Sequence, residues 1–276
     1  TPSEILERIS NYNIVIVRSR TTITKEMIEK ANKCKIIARV GVGLDNVDQD
    51  AAKSKEIRVI NAVEGAMNAV AELVLGLMLS LARQTARGDR AIRNNQWLKK
   101  ELKGTELKGK YLGIIGLGNI GKRLGRLARA LNMNIIGYDV IPIDEEFSKE
   151  VGLMKADLNT LLQSSDYVSI HVPLLDSTYH LIDQQKISLM KNTAKIINTS
   201  RGGVVDEGAL YQALKNGTLG GAALDVFEKE PALGNSLAEL DNVILTPHIG
   251  AQTKEAQSLA ANVIAEKIVQ ILRGII

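Results

Sequence analysis

The sequence predicts an α/β protein made of parallel sheets, one of them doubly wound to hold a nucleotide, and three observations carry that prediction. Short runs rich in Ile, Val and Tyr alternate with amphipathic helical stretches along all 276 residues, the pattern of strands joined by crossover helices. Residues 116–121 read G-x-G-x-x-G and lie between a strand pattern and a helix pattern, the setting in which that motif becomes specific. The length suggests about two domains at ~150 residues each. Hydrophobic residues make up 45% and charged residues 24%, which excludes a disordered chain.

The elements follow in order. Ile14 to Val17, Ile36 to Val40 and Arg58 to Ile60 read as strands, separated by helices around Lys25 to Asn32 and Asp48 to Ser54. They form a small open unit. A helical pattern then runs from Ala69 to about Asn94, with Leu73, Val74, Leu77, Met78 and Leu81 too dense for one stripe; such a helix must bury more than one face. Beyond a Lys/Gly-rich stretch, six strands are expected near Leu112 to Ile115, Ile135 to Asp139, Tyr167 to His171, Ile196 to Thr199, Ala222 to Val226 and Val243 to Leu245. The last helix, about Gln252 to Leu272, returns to the first unit. The expected domains are 1–68 with 252–276, and 69–251 inserted between them.

Several classes are disfavoured. The longest nearly apolar stretch, Ala69 to Ala82, is interrupted by Glu72 and falls short of the ~20 residues of a membrane span. No membrane contact is expected. Cys34 is the single cysteine, so a reducing, cytoplasmic setting and no structural metal are the expectation. The chain opens at Thr1 rather than Met, so the natural start is expected to be missing. Net charge is +4, yet thirteen Lys/Arg against three acids fall between Arg83 and Arg129. Aromatics are 3% and none cluster there to stack bases, which favours solvated helix faces or a small-anion field over nucleic acid.

The chemistry-bearing residues gather at strand ends. Gly116 permits a tight turn, Gly118 lets a pyrophosphate approach the backbone and Gly121 brings helix against strand, while the helix N-terminus offers unpaired N–H donors. Asp139 ends the next strand; a carboxylate there accepts ribose hydroxyls and repels a 2′-phosphate. Val140, Ile141 and Pro142 follow it, so NAD is favoured over NADP. Alcohol oxidation by hydride transfer needs a base, and His171 and His248 both sit at C-terminal strand ends. Position alone leaves both open. Arg201 and Glu230 share that edge, as a cation and a carboxylate of undecided role.

Residues 116–121, His171-Val172-Pro173, the run from Asn198 through Arg201 to Asp206, the run from Ala223 through Glu230 to Pro231, and Thr246-Pro247-His248-Ile249-Gly250 together resemble the D-2-hydroxyacid dehydrogenase family. The resemblance implies a doubly wound Rossmann-type NAD-binding domain inserted in a smaller flavodoxin-like substrate domain, with the active site in the cleft between them. It implies His248 as acid/base, Glu230 as partner of its imidazole and Arg201 as the grip on the substrate carboxylate. NAD would be bound by Gly116, Gly118, Asn119, Ile120, Gly121, Asp139, His171, Val172, Pro173, Thr178, Thr199, Ser200, Asp225 and Gly250, with Asp225 on the nicotinamide carboxamide. Within the family, Val17-Arg18-Ser19-Arg20-Thr21 and the run from Val40 through Val42 and Gly43 to Asp48 resemble the branch acting on D-3-phosphoglycerate. There Arg18 and Arg20 suit a phosphate, and Val42 and Gly43 present backbone N–H groups to a carboxylate. Residues 61–68 depart from the family pattern. The family's first strand and helix, and the C-terminal regulatory domain of some members, are absent from the sequence, so serine feedback is not expected. A homodimer, or a tetramer built from it, is implied. Glyoxylate or hydroxypyruvate reduction is the alternative within the family, and an NAD-sensing corepressor the alternative outside enzymes.

Overall fold

The computed structural model describes residues 1–274. The chain divides into two compact units, Val70–Gly250 and a discontinuous one made of Thr1–Ala69 with the segment from Ala251 onward.

In the discontinuous unit, α1 (Pro2–Arg8), β1 (Ile14–Val17), α2 (Lys25–Lys30), β2 (Ile36–Arg39), α3 (Gln49–Ser54) and β3 (Arg58–Asn61) alternate. The strands form a parallel sheet in the order β1-β2-β3. Successive residues of a strand face opposite sides, and β2 uses both. Ile37 packs with Ile23, Ile28 and Ala52, whereas Ile36 and Ala38 pack with Ala260 and Ile264 of the returning C-terminal segment. Residues 61–68, where the family pattern is broken, are held by that same segment. A Cβ at Gly65 would lie 2.8 Å from Ala260 Cβ, and Lys267 Nζ donates to the Asn61 carbonyl at 3.0 Å.

The second unit opens with α4 (Met67–Arg83), whose first residues belong to the other unit, and α5 (Thr85–Arg93). The single helix expected over 69–94 is therefore two, because Gln84 adopts left-handed φ of 54°. The run Val63–Arg83 is 21 residues long and apolar enough to cross a bilayer by length and composition, longer than the sequence pattern suggested, and half of it is buried inside the fold. In the dense apolar run of α4, Val74, Leu77, Met78 and Leu81 are all buried.

Then follow β4 (Tyr111–Ile115), α6 (Asn119–Ala130), β5 (Asn134–Tyr138), α7 (Glu145–Val151), β6 (Met154–Lys155), α8 (Leu158–Ser164), β7 (Tyr167–Ile170), α9 (Gln184–Ser188), β8 (Lys195–Asn198), α10 (Glu207–Lys215), β9 (Gly221–Leu224) and β10 (Val243–Leu245). The chain returns to the first unit as α11 (Lys254–Leu272). The sheet is parallel in the order β10-β9-β8-β7-β4-β5-β6. It has a seventh strand, β6, two exposed residues at the edge that are too short to carry a period. Strand order reverses between β4 and β7, the switch point at whose C-terminal side such sheets bind ligands. Buried Ile and Val of β4, β7 and β8 form the centre of the core, as expected of strands covered on both faces.

Candidate active site

The glycine loop begins where β4 ends. Gly116 adopts φ of +92°, a conformation that costs a side chain dearly and glycine nothing. A Cβ at Gly121 would overlap the Gly116 carbonyl, whereas one at Gly118 would meet nothing within 4 Å. Gly118 is the N-cap of α6 and offers no side-chain acceptor to its first turn. Thr24, Asp48, Asp144, Asp157, Asp183, Asp206 and Thr253 by contrast each accept a backbone N–H at the start of α2, α3, α7, α8, α9, α10 and α11. The donors of α6, around Asn119 and Ile120, are thus unspent, and the backbone there is open to an anion. Asp139, just beyond β5, accepts from Leu117 N at 2.7 Å and from Ile141 N at 3.1 Å. Its carboxylate therefore sits beside the glycine loop with acceptor capacity to spare, flanked by exposed Val140 and Ile141.

Arg201, Glu230 and His248 come from three adjacent strand ends. Asn198 of β8 is in register with Leu224 of β9, which pairs with Leu245 of β10. The loops that follow are pressed together: a Cβ at Gly202 would overlap the Phe227 carbonyl group, so only glycine lets the Arg201 loop lie against the loop leading to Glu230. The Glu230 carboxylate accepts the Phe227 N–H through Oε1 at 3.2 Å and reaches His248 Nδ1 through Oε2 at 2.8 Å. A carboxylate only accepts, so Nδ1 carries the proton and Nε2 is left as the free ring nitrogen. Arg201 donates to the Ser200 carbonyl at 2.6 Å.

The other two histidines are differently placed. His171 Nε2 lies 2.8 Å from Ser169 Oγ, and burial pushes its pKa down to about 4, so the ring is neutral at pH 7. Its amide donates to the Ile115 carbonyl at 2.7 Å, which sets His171 beside Gly116 across the switch point. His180 Nε2 pairs with Glu228 at 3.0 Å and stacks on Tyr179. Val172 and Pro173 continue the loop from β7, and the Thr178 hydroxyl closes it by donating to the Pro173 carbonyl and accepting the Leu175 N–H. Thr199 Oγ1 is buried with no hydrogen-bond partner among the described residues, at the edge where a cofactor would supply one. The Ser200 hydroxyl donates to Asn198 at the end of its own strand, and the Gly250 amide donates to Asp225 across from the neighbouring loop. Asn198 and Thr246, which the sequence motifs include without a role, belong to the same network; a polar residue closing an apolar strand run was the available signal. No group of three or more His, Cys, Asp or Glu among the described residues is placed to hold a metal ion.

In the discontinuous unit, Arg18 and Arg20 are exposed on the turn after β1. Asn46 staples that turn, its amide donating to the carbonyls of Arg18 and Thr21 at 3.0 and 2.6 Å. Gly41 has φ of +141°, and the Arg39 guanidinium occupies the space a side chain there would need. Val42 accepts from Asn61 Nδ2 at 2.6 Å, and Gly43 follows it, partly exposed.

Residues 75–250 match the family model "D-isomer specific 2-hydroxyacid dehydrogenase, NAD binding domain". The chain belongs to this family. A hydroxypyruvate reductase of Thermotoga maritima is 45% identical over 96% of the chain and 86% of the relative's length. The D-3-phosphoglycerate dehydrogenase of Methanocaldococcus jannaschii is 48% identical over 99% of the chain and 52% of its own length. The chain thus spans about half of the phosphoglycerate dehydrogenases it matches. The D-lactate dehydrogenase of Aquifex aeolicus, solved with NAD and lactic acid, superposes with a TM-score of 0.86 at 32% identity, covering all of this chain and 86% of its own. The doubly wound unit is accordingly the NAD-binding domain of a 2-hydroxyacid dehydrogenase.

Proposed function

We propose that the chain is the catalytic core of an NAD-dependent dehydrogenase that oxidises D-3-phosphoglycerate at C2, a step toward serine. The observation that carries the reading is the 2.8 Å contact between Glu230 and His248, on the same sheet edge as Arg201. His248 Nε2 takes the C2 hydroxyl proton, and Glu230 fixes the ring and its tautomer through Nδ1 and stabilises the imidazolium that forms. Arg201 pairs with the substrate carboxylate, as a guanidinium does best. NAD, when bound, would supply the acceptor for the C2 hydride. The uncapped start of α6 and Gly118 would hold its pyrophosphate, Asp139 its ribose hydroxyls, and the orphaned Thr199 hydroxyl and Asp225 lie at the edge where its nicotinamide end belongs. Apolar Val140 and Ile141 offer no cation for a 2′-phosphate.

Two features support the phosphorylated substrate: the 40–48% identity to several phosphoglycerate dehydrogenases and the paired arginines Arg18 and Arg20. Hydroxypyruvate reduction is the second reading, favoured by the relative matched over most of its length. NADH formation from D-3-phosphoglycerate, compared with unphosphorylated D-2-hydroxy acids, separates the two. In the same assay His248→Ala should lose at least ~100-fold in kcat with NAD affinity unchanged; wild-type turnover would remove the catalytic assignment. The buried, unpaired Cys34 suits a cytoplasmic setting. Exposed Ile92 and Trp97 supply apolar surface for a homodimer or a tetramer built from it, and light scattering that finds a stable monomer at micromolar concentration would remove that assembly.

A further inference from the structure

Three polar residues leave the sheet side by side at the ends of β8, β9 and β10: Asn198, Asp225 and Thr246. The Asp225 amide donates to the Asn198 carbonyl at 2.9 Å and the Thr246 amide to the Leu224 carbonyl at 2.9 Å, so the register of the sheet itself sets their spacing. Asn198 and Asp225 are each 1% exposed, and buried groups of this kind persist when fully hydrogen-bonded. Every bond their side chains make goes to one of two loops. Asn198 Oδ1 accepts from the Ser200 amide at 3.0 Å and from its hydroxyl at 2.8 Å, while Nδ2 donates to the Arg201 carbonyl at 2.8 Å. Asp225 Oδ1 accepts from Thr246 Oγ1 at 2.5 Å and Ile249 N at 2.8 Å, and Oδ2 accepts from Gly250 N at 2.8 Å.

The bonds of Asp225 therefore grip residues on both sides of His248, whose φ of +54° is left-handed and disfavoured for a side-chain-bearing residue. Such a conformation holds only where the surroundings over-determine it. Asn198 in the same way fixes the peptide that carries Arg201. Arg201 and His248 must address neighbouring atoms of one substrate, its carboxylate and its C2 hydroxyl, and misplacement by ~1 Å is enough to cost ~100-fold in rate.

We propose that Asn198 and Asp225 are positioning residues that lock the Arg201 and His248 loops to adjacent strand ends. The inference rests on the dehydrogenase reading. Asp225 spends three of a carboxylate's roughly four acceptor sites on the loop, which leaves one for a cofactor amide.

The test uses Asn198→Asp, which keeps the acceptor for Ser200 but turns an oxygen on the Arg201 carbonyl, and Thr246→Val, which removes one bond to Asp225 without touching its charge. Asn198→Asp should raise KM for the 2-hydroxy acid about tenfold or more, with NAD affinity within about twofold of wild type. Thr246→Val should lower kcat about tenfold with KM little changed, because it loosens the base rather than the carboxylate grip. Amide hydrogen exchange, measured without substrate or cofactor, should quicken at 200–203 in the first variant and at 246–250 in the second. Wild-type kinetics together with wild-type exchange in either variant would overturn the proposal. Should Asn198→Asp not fold, unchanged exchange at 246–250 in Thr246→Val overturns it alone. The predicted exchange in both variants, with a wild-type protein inactive on every 2-hydroxy acid, would support the loop lock and sink the dehydrogenase reading.

Discussion

Each unit sends a glycine-rich loop from the end of a parallel strand, Gly41-Val42-Gly43 after β2 and residues 116–121 after β4, and the two diverge within one turn. After the first, α3 is capped by Asp48, which accepts the Ala51 N–H at 2.9 Å, and the space over Gly41 is filled by Arg39. After the second, α6 starts at Gly118 with no capping side chain and nothing within 4 Å of where a Cβ would stand. Glycine spacing thus marks where the backbone turns tightly. Whether the loop can receive a phosphate depends on the next residues, which either spend the helix donors internally or leave them unspent.

The largest effect should come from the glycine whose role is packing. Gly121→Ala drives a methyl into the Gly116 carbonyl and forces α6 off β4, so a loss of ~3 kcal/mol or more in the unfolding free energy is expected by denaturant titration. Gly118→Ala should leave stability within about 0.5 kcal/mol and instead weaken NAD binding about tenfold or more, since the methyl stands where the pyrophosphate would approach. Equal destabilisation by the two variants would break the distinction between a packing glycine and a ligand glycine.

The sequence made the second loop legible because motif and context coincide there: an apolar strand, three glycines at fixed spacing and an amphipathic helix, with Asp139 on the next strand end. Other features depended on neighbours that local pattern does not record. Gln84 carries no mark of the left-handed turn that splits α4 from α5, since it is neither Gly nor Asn, the residues that usually take that conformation. Leu77 and Leu81 belong to a run too dense for one stripe, and both are buried, but what covers them is not written in the helix pattern. His171 and His248 occupy equivalent strand ends, and what separates them is a carboxylate eighteen residues before one of them and a serine hydroxyl two residues before the other. That Asn198 and Asp225 stand on adjacent strand ends follows only from the register that sets β8, β9 and β10 side by side.

A difference in acid sensitivity sharpens the comparison of the two units. All three histidines lie between residues 70 and 250, and His171, beside Gly116, has its pKa pushed by burial from 6.5 down to about 4. The folded state therefore holds the ring neutral while the unfolded chain protonates it from about pH 6.5 downward. The unfolded state binds more protons between those two values, so stability is full above about pH 6.5 and declines as pH falls toward 4. The loss through this one group is on the order of 2–3 kcal/mol. Urea titrations of wild type and His171→Gln at pH 7 and pH 4.5 measure it, because carboxylate contributions common to both cancel in the difference. Parallel pH profiles for the two proteins would mean that the ring beside the glycine loop is solvated.

The smallest effect belongs to the capped loop. Asp48→Ala leaves the Ala51 N–H without its acceptor and should cost about 1 kcal/mol, the usual worth of an N-cap carboxylate. The cost falls on the unit that holds α3. Because Asp48 caps a helix of the other unit and not the start of α6, NAD affinity should stay at its wild-type value, measured by titration well below the melting temperature. The same change leaves α3 with a free N-terminus after a glycine loop, outwardly the condition of α6, but Gly41 still lies under the Arg39 guanidinium and the helix is only six residues long. A weakened NAD affinity in Asp48→Ala would couple the two loops energetically, and the view that the 116–121 loop alone receives the cofactor phosphates would then fail.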